Sequence, residues 1–359
     1  MAGSKRTSDR VSKPSARTAS LNEQNIAALE HEVNPANDQA PQTNIQPAEW
    51  IQRVKELSSL PSKPQLTTSA TQILNRYAGR DNISPSWLND FIKGLPDDLK
   101  PIKAPSIKKR RIDASDQETL EHWFERLKAL TAEVPPANLY NFSDTLFQIG
   151  LGEKPIKVIC FGGSIPPCRT TRLYCEWMST IECIAADGWV ADPCIVTQGP
   201  LYEEWLEYLR DGDAYLFPTD GGRVTETVAC GWIKFFHKKT QDRVTDGQPR
   251  IMLFPGQPQY LCWKFLQFCD QHNIILFRFP PNIGHLLQPF NCKTFDHYKG
   301  WWKKRGLWMN YEEADDEKDD FFEFFPEARE EVFKPQAIKG AFAERGIFPF
   351  DPSKVGQPL

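Results

Sequence analysis

The stretch RIMLFPGQPQYLCWKFLQFCDQHNIILFRF, residues 250–279, decides the fold. Arg250 to Phe254 is a short, mostly apolar run closed by Pro255 and Gly256, which reads as a buried strand. Tyr260 to His272 carries apolar residues at helical intervals, and Ile274 to Phe279 is a second strand. A strand, a helix and a strand in succession put both strands in one sheet with the helix across its face. Upstream, Leu139 to Gln148, Ile156 to Phe161, Trp177 to Ala185 and Val190 to Thr197 also read as strands. The last two are joined by Asp187-Gly188, a hairpin turn signal. A helix at Thr225 to Lys239 presents Val228, Trp232, Phe235 and Phe236 on one side, and a further helix spans about Cys292 to Arg305. Antiparallel strands first, then strands alternating with helices, give an α/β protein whose mixed sheet is covered on both faces.

That order is the order of a ribonuclease H-like sheet. The pattern divides the chain into a tail at 1–45, a helical module at 46–112, a connecting helix at 113–136 and the sheet domain at 137–310. An acidic, Phe-containing loop at 311–333 and a short helical tail at 334–359 follow. Residues 1–45 are rich in Ser, Thr, Ala, Asn, Gln and Pro, and read as disordered. From Trp50, the residues Ile51, Val54 and Leu57 recur at helical spacing; a turn at Leu60 to Pro64 leads to a second helix near Ser69 to Tyr77. In the third helix Ser84 is the cap and Pro85 the first residue. Its apolar face is Trp87, Leu88, Phe91 and Ile92, and Gly94 and Pro96 stop it. Three short helices before a basic stretch have the outline of a helix-turn-helix, and a small bundle with a solvated charge run gives the same periodicity.

Charge is polarised along the chain. Forty-three Lys and Arg against 47 Asp and Glu leave a net charge of -4, so no global basic field points to nucleic acid. Yet residues 100–112 hold Lys100, Lys103, Lys108, Lys109, Arg110 and Arg111 without an acid, while residues 311–331 hold eleven acids against Lys318 and Arg329. Nine cysteines without CxxC spacing argue against a zinc module or a disulfide framework and for reduced, mostly buried thiols. No apolar run approaches the length of a membrane helix, and the first ten residues have no signal-peptide pattern, so the expectation is a soluble intracellular protein. Gly162-Gly163-Ser164 and Gly221-Gly222 lack the lysine of a phosphate-binding loop.

Five motifs then occur in one order: Tyr140-Asn141-Phe142; Ile181-Glu182-Cys183-Ile184 with Asp187-Gly188-Trp189; Pro280-Pro281; His285-Leu286-Leu287-Gln288-Pro289; and Gly346-Ile347-Phe348-Pro349-Phe350. Together they resemble the pogo-like DDE transposases of fungi, part of the mariner superfamily and related to the centromere protein CENP-B. The resemblance spans about residues 46–353 and implies a DDE integrase-type sheet preceded by a CENP-B-type helix-turn-helix. It also implies metal-dependent DNA strand cleavage and transfer, in which three acids hold two divalent cations.

The acids are missing at the matching positions. The family's first acid falls on Ser143 in Asn141-Phe142-Ser143-Asp144, the second on Pro255, and the third on Asn291 after Gln288-Pro289-Phe290. A serine, a proline and an asparagine offer no formal charge to offset the dehydration of magnesium, so the ancestral magnesium site is expected to be lost, with no cofactor and no catalytic residue. Asp144 adjoins the first position, but a one-residue shift along a strand turns its carboxylate to the other face unless a bulge intervenes. Glu182 reads as a solvent-facing strand residue, Asp296 as a helix-surface charge, and His285 as a group bonding its own loop. Trp301, Trp302, Lys303, Lys304, Arg305 and Trp308 combine cations with aromatics as nucleic-acid contacts do, and an amphipathic helix packing its tryptophans reads equally well.

The resulting expectation is a catalytically inactive, transposase-derived DNA-binding protein. Ser86, Asn89 and Lys93 would face the major groove, and Lys100, Lys103, Lys108, Lys109, Arg110 and Arg111 the phosphates. The Lys108 to Arg111 cluster suits nuclear import. DNA is the expected partner, with no membrane, no small-molecule substrate, and homo-oligomerisation left open. The alternatives are an active metal-dependent endonuclease using displaced acids, and an interaction scaffold or decaying element copy.

Overall fold

In the computed structural model, residues 47–57, 63–78, 84–94, 117–150, 175–202, 204–209, 214–244, 247–281, 283–306 and 314–355 are described. Helices α1 (Pro47–Glu56), α2 (Lys63–Ala78), α3 (Pro85–Gly94) and α4 (Gln117–Thr131) precede strand β1 (Leu139–Ile149). Then come β2 (Glu176–Ala185), β3 (Cys194–Gln198), α5 (Glu204–Tyr208), β4 (Tyr215–Thr219), α6 (Glu226–Thr240), β5 (Arg250–Phe254), α7 (Trp263–Gln271) and β6 (Ile274–Arg278). Helices α8 (Gly284–Leu287), α9 (Asp296–Gly306), α10 (Ala314–Val332) and α11 (Pro335–Glu344) follow among the described residues.

The sheet runs in the order β4-β3-β2-β1-β5-β6. β1, β2 and β3 are antiparallel neighbours, and β5 and β6 extend the sheet from β1 in parallel. This is the expected ribonuclease H-like order, with β4 added in parallel at the β3 edge. One face is closed by α4, α9, α10 and α11 through Trp123, Leu127, Tyr298, Phe321, Phe325 and Phe342. The other is closed by α6 and α7 through Trp232, Phe236, Trp263 and Phe265, with Trp50, Ile51, Val54 and Ile73 of α1 and α2 in the same cluster. The first two helices of the N-terminal module thus share the core of the sheet domain: the Trp50 indole donates to the Leu261 carbonyl at 3.1 Å, and Arg53 pairs with Asp270 at 2.8 Å.

Several expected boundaries move. Pro64 lies in the first turn of α2, where its missing N–H costs no hydrogen bond, so the helix starts well before Ser69. The hairpin after β2 closes at Gly188 (φ +96°), but beyond the Ile184↔Val190 bridge Pro193 has no N–H to donate, and regular pairing resumes only at Cys194. The expected strand at Ile156 to Phe161 lies outside the described residues. The expected acidic loop at 311–333 is corrected: residues 314–332 are helix α10, because Phe321, Phe322 and Phe325 at helical spacing are buried while Glu323, Glu327, Glu330 and Glu331 are exposed. α10 and α11 therefore belong to the core of the domain, which does not end at 310.

At the start of β5 the Arg250 guanidinium, in a residue 4% exposed, ties three elements together. It donates to Thr240 Oγ1 (2.9 Å), to the His272 carbonyl (2.7 Å) and to His237 Nδ1 (2.9 Å). That nitrogen is an acceptor only while the ring is neutral. Burial, with His272 and Arg250 adding to it, pushes His237 down from 6.5 to about 4. An unfolded chain takes up this proton first as pH falls, so stability should decline from about pH 6.5 towards pH 4 and level off below. Urea titrations across that range test this: His237→Asn should flatten the decline, and an equal slope in both proteins would contradict it.

Candidate functional site

Strands β1 and β5 run in parallel with Leu139 opposite Ile251 and Asn141 opposite Leu253. Continuing that register sets Ser143 level with Pro255, one residue past the end of β5. The Asn141 side chain closes the third side. Its amide donates to the Leu253 carbonyl at 2.9 Å, and its Oδ1 accepts from the Phe290 N–H at 3.3 Å, next to Asn291. Ser143, Pro255 and Asn291, far apart in the chain, are thus drawn to one end of the sheet by one buried asparagine. The turn after β5 needs its glycine: Gly256 has φ +83°, and a Cβ there would run into the Arg278 side chain.

Each position is occupied by neutral chemistry. Asn291 donates to Gln288 Oε1 (3.1 Å) and to the Gly284 carbonyl (3.2 Å), and its Oδ1 accepts from the Lys299 ammonium at 2.9 Å. Arg345, just before the Gly346 motif, holds this loop in place by donating to the Leu286 carbonyl (3.3 Å), the Asn291 carbonyl (2.8 Å) and Cys292 Sγ (3.1 Å).

The neighbouring acids are turned to other tasks. The β1–β2 register runs without a bulge from Tyr140↔Ala185 to Ile149↔Glu176, so Asp144 points to the face opposite Ser143. There it accepts from Gln257 Nε2 at 2.5 Å and Gln259 Nε2 at 3.4 Å, and burial raises its pKa. Glu182 is directly across from Ser143 and shares its face. The expectation of a solvent-facing Glu182 is corrected: it is 1% exposed. Arg329 of α10 grips it in bidentate fashion at 2.9 Å and 2.9 Å, and the Tyr298 hydroxyl donates to it at 2.8 Å. Burial, reinforced by the Glu182 charge, pushes the Tyr298 phenol well above its usual range and keeps it a donor. Arg329 also reaches the Ala191 carbonyl at 2.8 Å. Asp296 is exposed in the first turn of α9, and the His285 side chain lies outside the described residues.

On α3, Ser84 Oγ accepts from the Trp87 N–H at 3.2 Å as the expected cap, and Trp87 stacks on Phe91 at 5.2 Å against the second core. Ser86, Asn89 and Lys93 are exposed, with Lys93 paired to Asp90 at 3.4 Å. Lys100, Lys103, Lys108, Lys109, Arg110 and Arg111 lie outside the described residues. Four residues of the site escaped the sequence reading. Asn141 stood inside a quoted motif and Arg345 beside another; Arg329 was one of two cations in an acidic run; Lys299 gave no signal. Among the described residues, no helix is long and apolar enough to cross a membrane.

Residues 175–342 match the sequence model of the DDE superfamily endonuclease family. Over those residues the chain is similar to DDE superfamily endonucleases. The matched residues begin at β2, so they include Pro255 and Asn291 and leave Ser143 on β1 outside. A stretch of 182 residues is 26% identical to the MFS-type transporter clz9 of Cochliobolus lunatus; it is 50% of this chain and 20% of that protein, so the chain spans about a fifth of the relative's length. Among solved structures, the chain is similar to the Mos1 mariner paired end complex with Mn (10% identity, 97% of this chain and 90% of that one, TM-score 0.42). It is also similar to the Mos1 transposase catalytic domain with Raltegravir and Mn (10% identity, 72% and 100%, TM-score 0.38).

The buried pair next to Ser143 gives a stability test. Arg329→Met leaves the Glu182 charge unpaired in the interior and should cost about 3–5 kcal/mol in urea unfolding. The double variant Glu182→Leu/Arg329→Met should recover much of that loss. A single variant within ~0.5 kcal/mol of the parent would show that the pair is not holding α10 to the sheet.

Proposed function

We propose that this chain is a transposase-derived DNA-binding protein of the pogo-like, CENP-B-related kind that no longer cleaves DNA. The observation carrying the proposal is the convergence of Ser143, Pro255 and Asn291 at one end of β1 and β5. A two-metal site needs charged oxygen ligands there. The groups present are a hydroxyl, a side chain with no ligating atom, and an amide oxygen engaged by Lys299. They do not fit magnesium. Glu182, committed to Arg329, and Asp144, on the opposite face, are poor replacements.

DNA is the proposed partner because the retained domain is that of an endonuclease family and because the six cations at 100–111 suit phosphates. Nuclear import through Lys108 to Arg111 belongs to the same reading. The exposed face of α3 offers Ser86 and Asn89 to base edges, while Asp90 beside Lys93 weakens that face for an anionic duplex, so binding should be weak.

Two measurements test the halves separately. With supercoiled plasmid and magnesium or manganese, the purified protein should give no sustained nicking; nicking abolished by Asp144→Asn or Glu182→Gln would mean displaced acids work. In a gel-shift titration, affinity should fall steeply with salt. Neutralising Lys108, Lys109, Arg110 and Arg111 should flatten that dependence by up to ~0.9 per lost phosphate contact in log–log slope. Negligible binding at low salt would end the DNA reading.

A further inference from the structure

Away from that site, two thiols are held side by side. Cys230, in the second turn of α6, and Cys262, immediately before α7, bring their sulfurs to 3.6 Å across 32 residues of chain. Neither sits in a sequence motif. Their approach is imposed by the packing of α6 against α7 in the second core, where Trp232 and Tyr260 are in contact at 6.1 Å. Cys262 is 3% exposed, whereas Cys230 is half-buried and the more accessible of the two. A disulfide has its sulfurs about 2.05 Å apart, so each need move only about 0.8 Å.

We propose that Cys230 and Cys262 form a redox-active pair that closes to an intramolecular disulfide on meeting an oxidised low-molecular-weight disulfide such as oxidised glutathione. The accessible Cys230 loses its proton to solvent and attacks one sulfur of the oxidant, forming a mixed disulfide and expelling one thiolate. Cys262 then loses its proton, attacks the Cys230 sulfur and expels the second thiolate. Two protein thiols are oxidised, one small disulfide is reduced to two thiols, and electrons and protons balance. The hydrogen bond with Cys230, together with burial, pushes the Cys262 thiol well above its usual range, which suits a resolving thiol that reacts only once its partner is captured.

The bond would fasten α6 to a turn that already serves two contacts. Gln257 and Gln259 in this turn hold the Asp144 carboxylate, and the Leu261 carbonyl receives the Trp50 indole of α1. Oxidation therefore fixes the segment between β5 and α7 at the docking point of the N-terminal helices.

Incubation of the full chain with oxidised glutathione, followed by alkylation and peptide mapping, tests the pair. The expected product is a linked Cys230–Cys262 peptide, formed under conditions that also modify the exposed Cys175. Complete modification of Cys175 with both Cys230 and Cys262 still alkylatable would overturn the proposal. Cys262→Ser should trap glutathione on Cys230, and an unmodified Cys230 in that variant would overturn the order of attack. Should Cys262→Ser fail to fold, Cys230→Ser provides the reciprocal reading: Cys262 should stay a thiol, and a glutathione adduct there would overturn the order.

Discussion

The paired charges of Glu182 and Arg329 are the constraint on which the centre of this molecule depends. Taking a carboxylate and a guanidinium out of water costs several kcal/mol each, and the cost is offset only when geometry is good and the remaining polar atoms are satisfied. Here both carboxylate oxygens receive the guanidinium, Tyr298 fills a further lone pair, Thr180 meets Tyr298 at 3.0 Å, and Arg329 spends its remaining reach on the Ala191 carbonyl. The network joins β2 to α9 and α10, and so sets the distance between the sheet and two helices that cover it. It also holds a positive charge on the face of the sheet to which Ser143 points.

A second fixed protein cation lies at Asn291, whose oxygen meets Lys299. On the proposed function, the groups that position this region are separate from residues 143 and 255. Asn141, Arg345 and Gly256 still position the strand ends and the loop after β6. These groups hold backbone, and backbone geometry is indifferent to whether residue 143 is an aspartate or a serine.

Much of the sheet was legible in the sequence. β5, α7 and β6 follow from one 30-residue pattern, α6 from its apolar face, and α3 from its cap and apolar face. What was illegible has physical causes. β4 holds Pro218, which an edge strand tolerates and a sequence pattern rejects. α10 carries so many acids that its Phe321, Phe322 and Phe325 were read as anchors of a loop. Glu182 looked solvent-facing because a strand period assigns one residue in two to the surface, whereas both faces of β2 are buried here. The convergence of residues 143, 255 and 291 came from a resemblance; the contacts that enforce it, Asn141 to Phe290 and Arg345 to the 286–292 loop, span the chain and leave no local pattern.

The central claim is that no divalent cation is held where Ser143, Pro255 and Asn291 meet. Manganese soaked into crystals and located by its anomalous scattering measures this directly. The account predicts no peak between the ends of β1 and β5 and the Asn291 side chain, and one or two strong peaks there would contradict it.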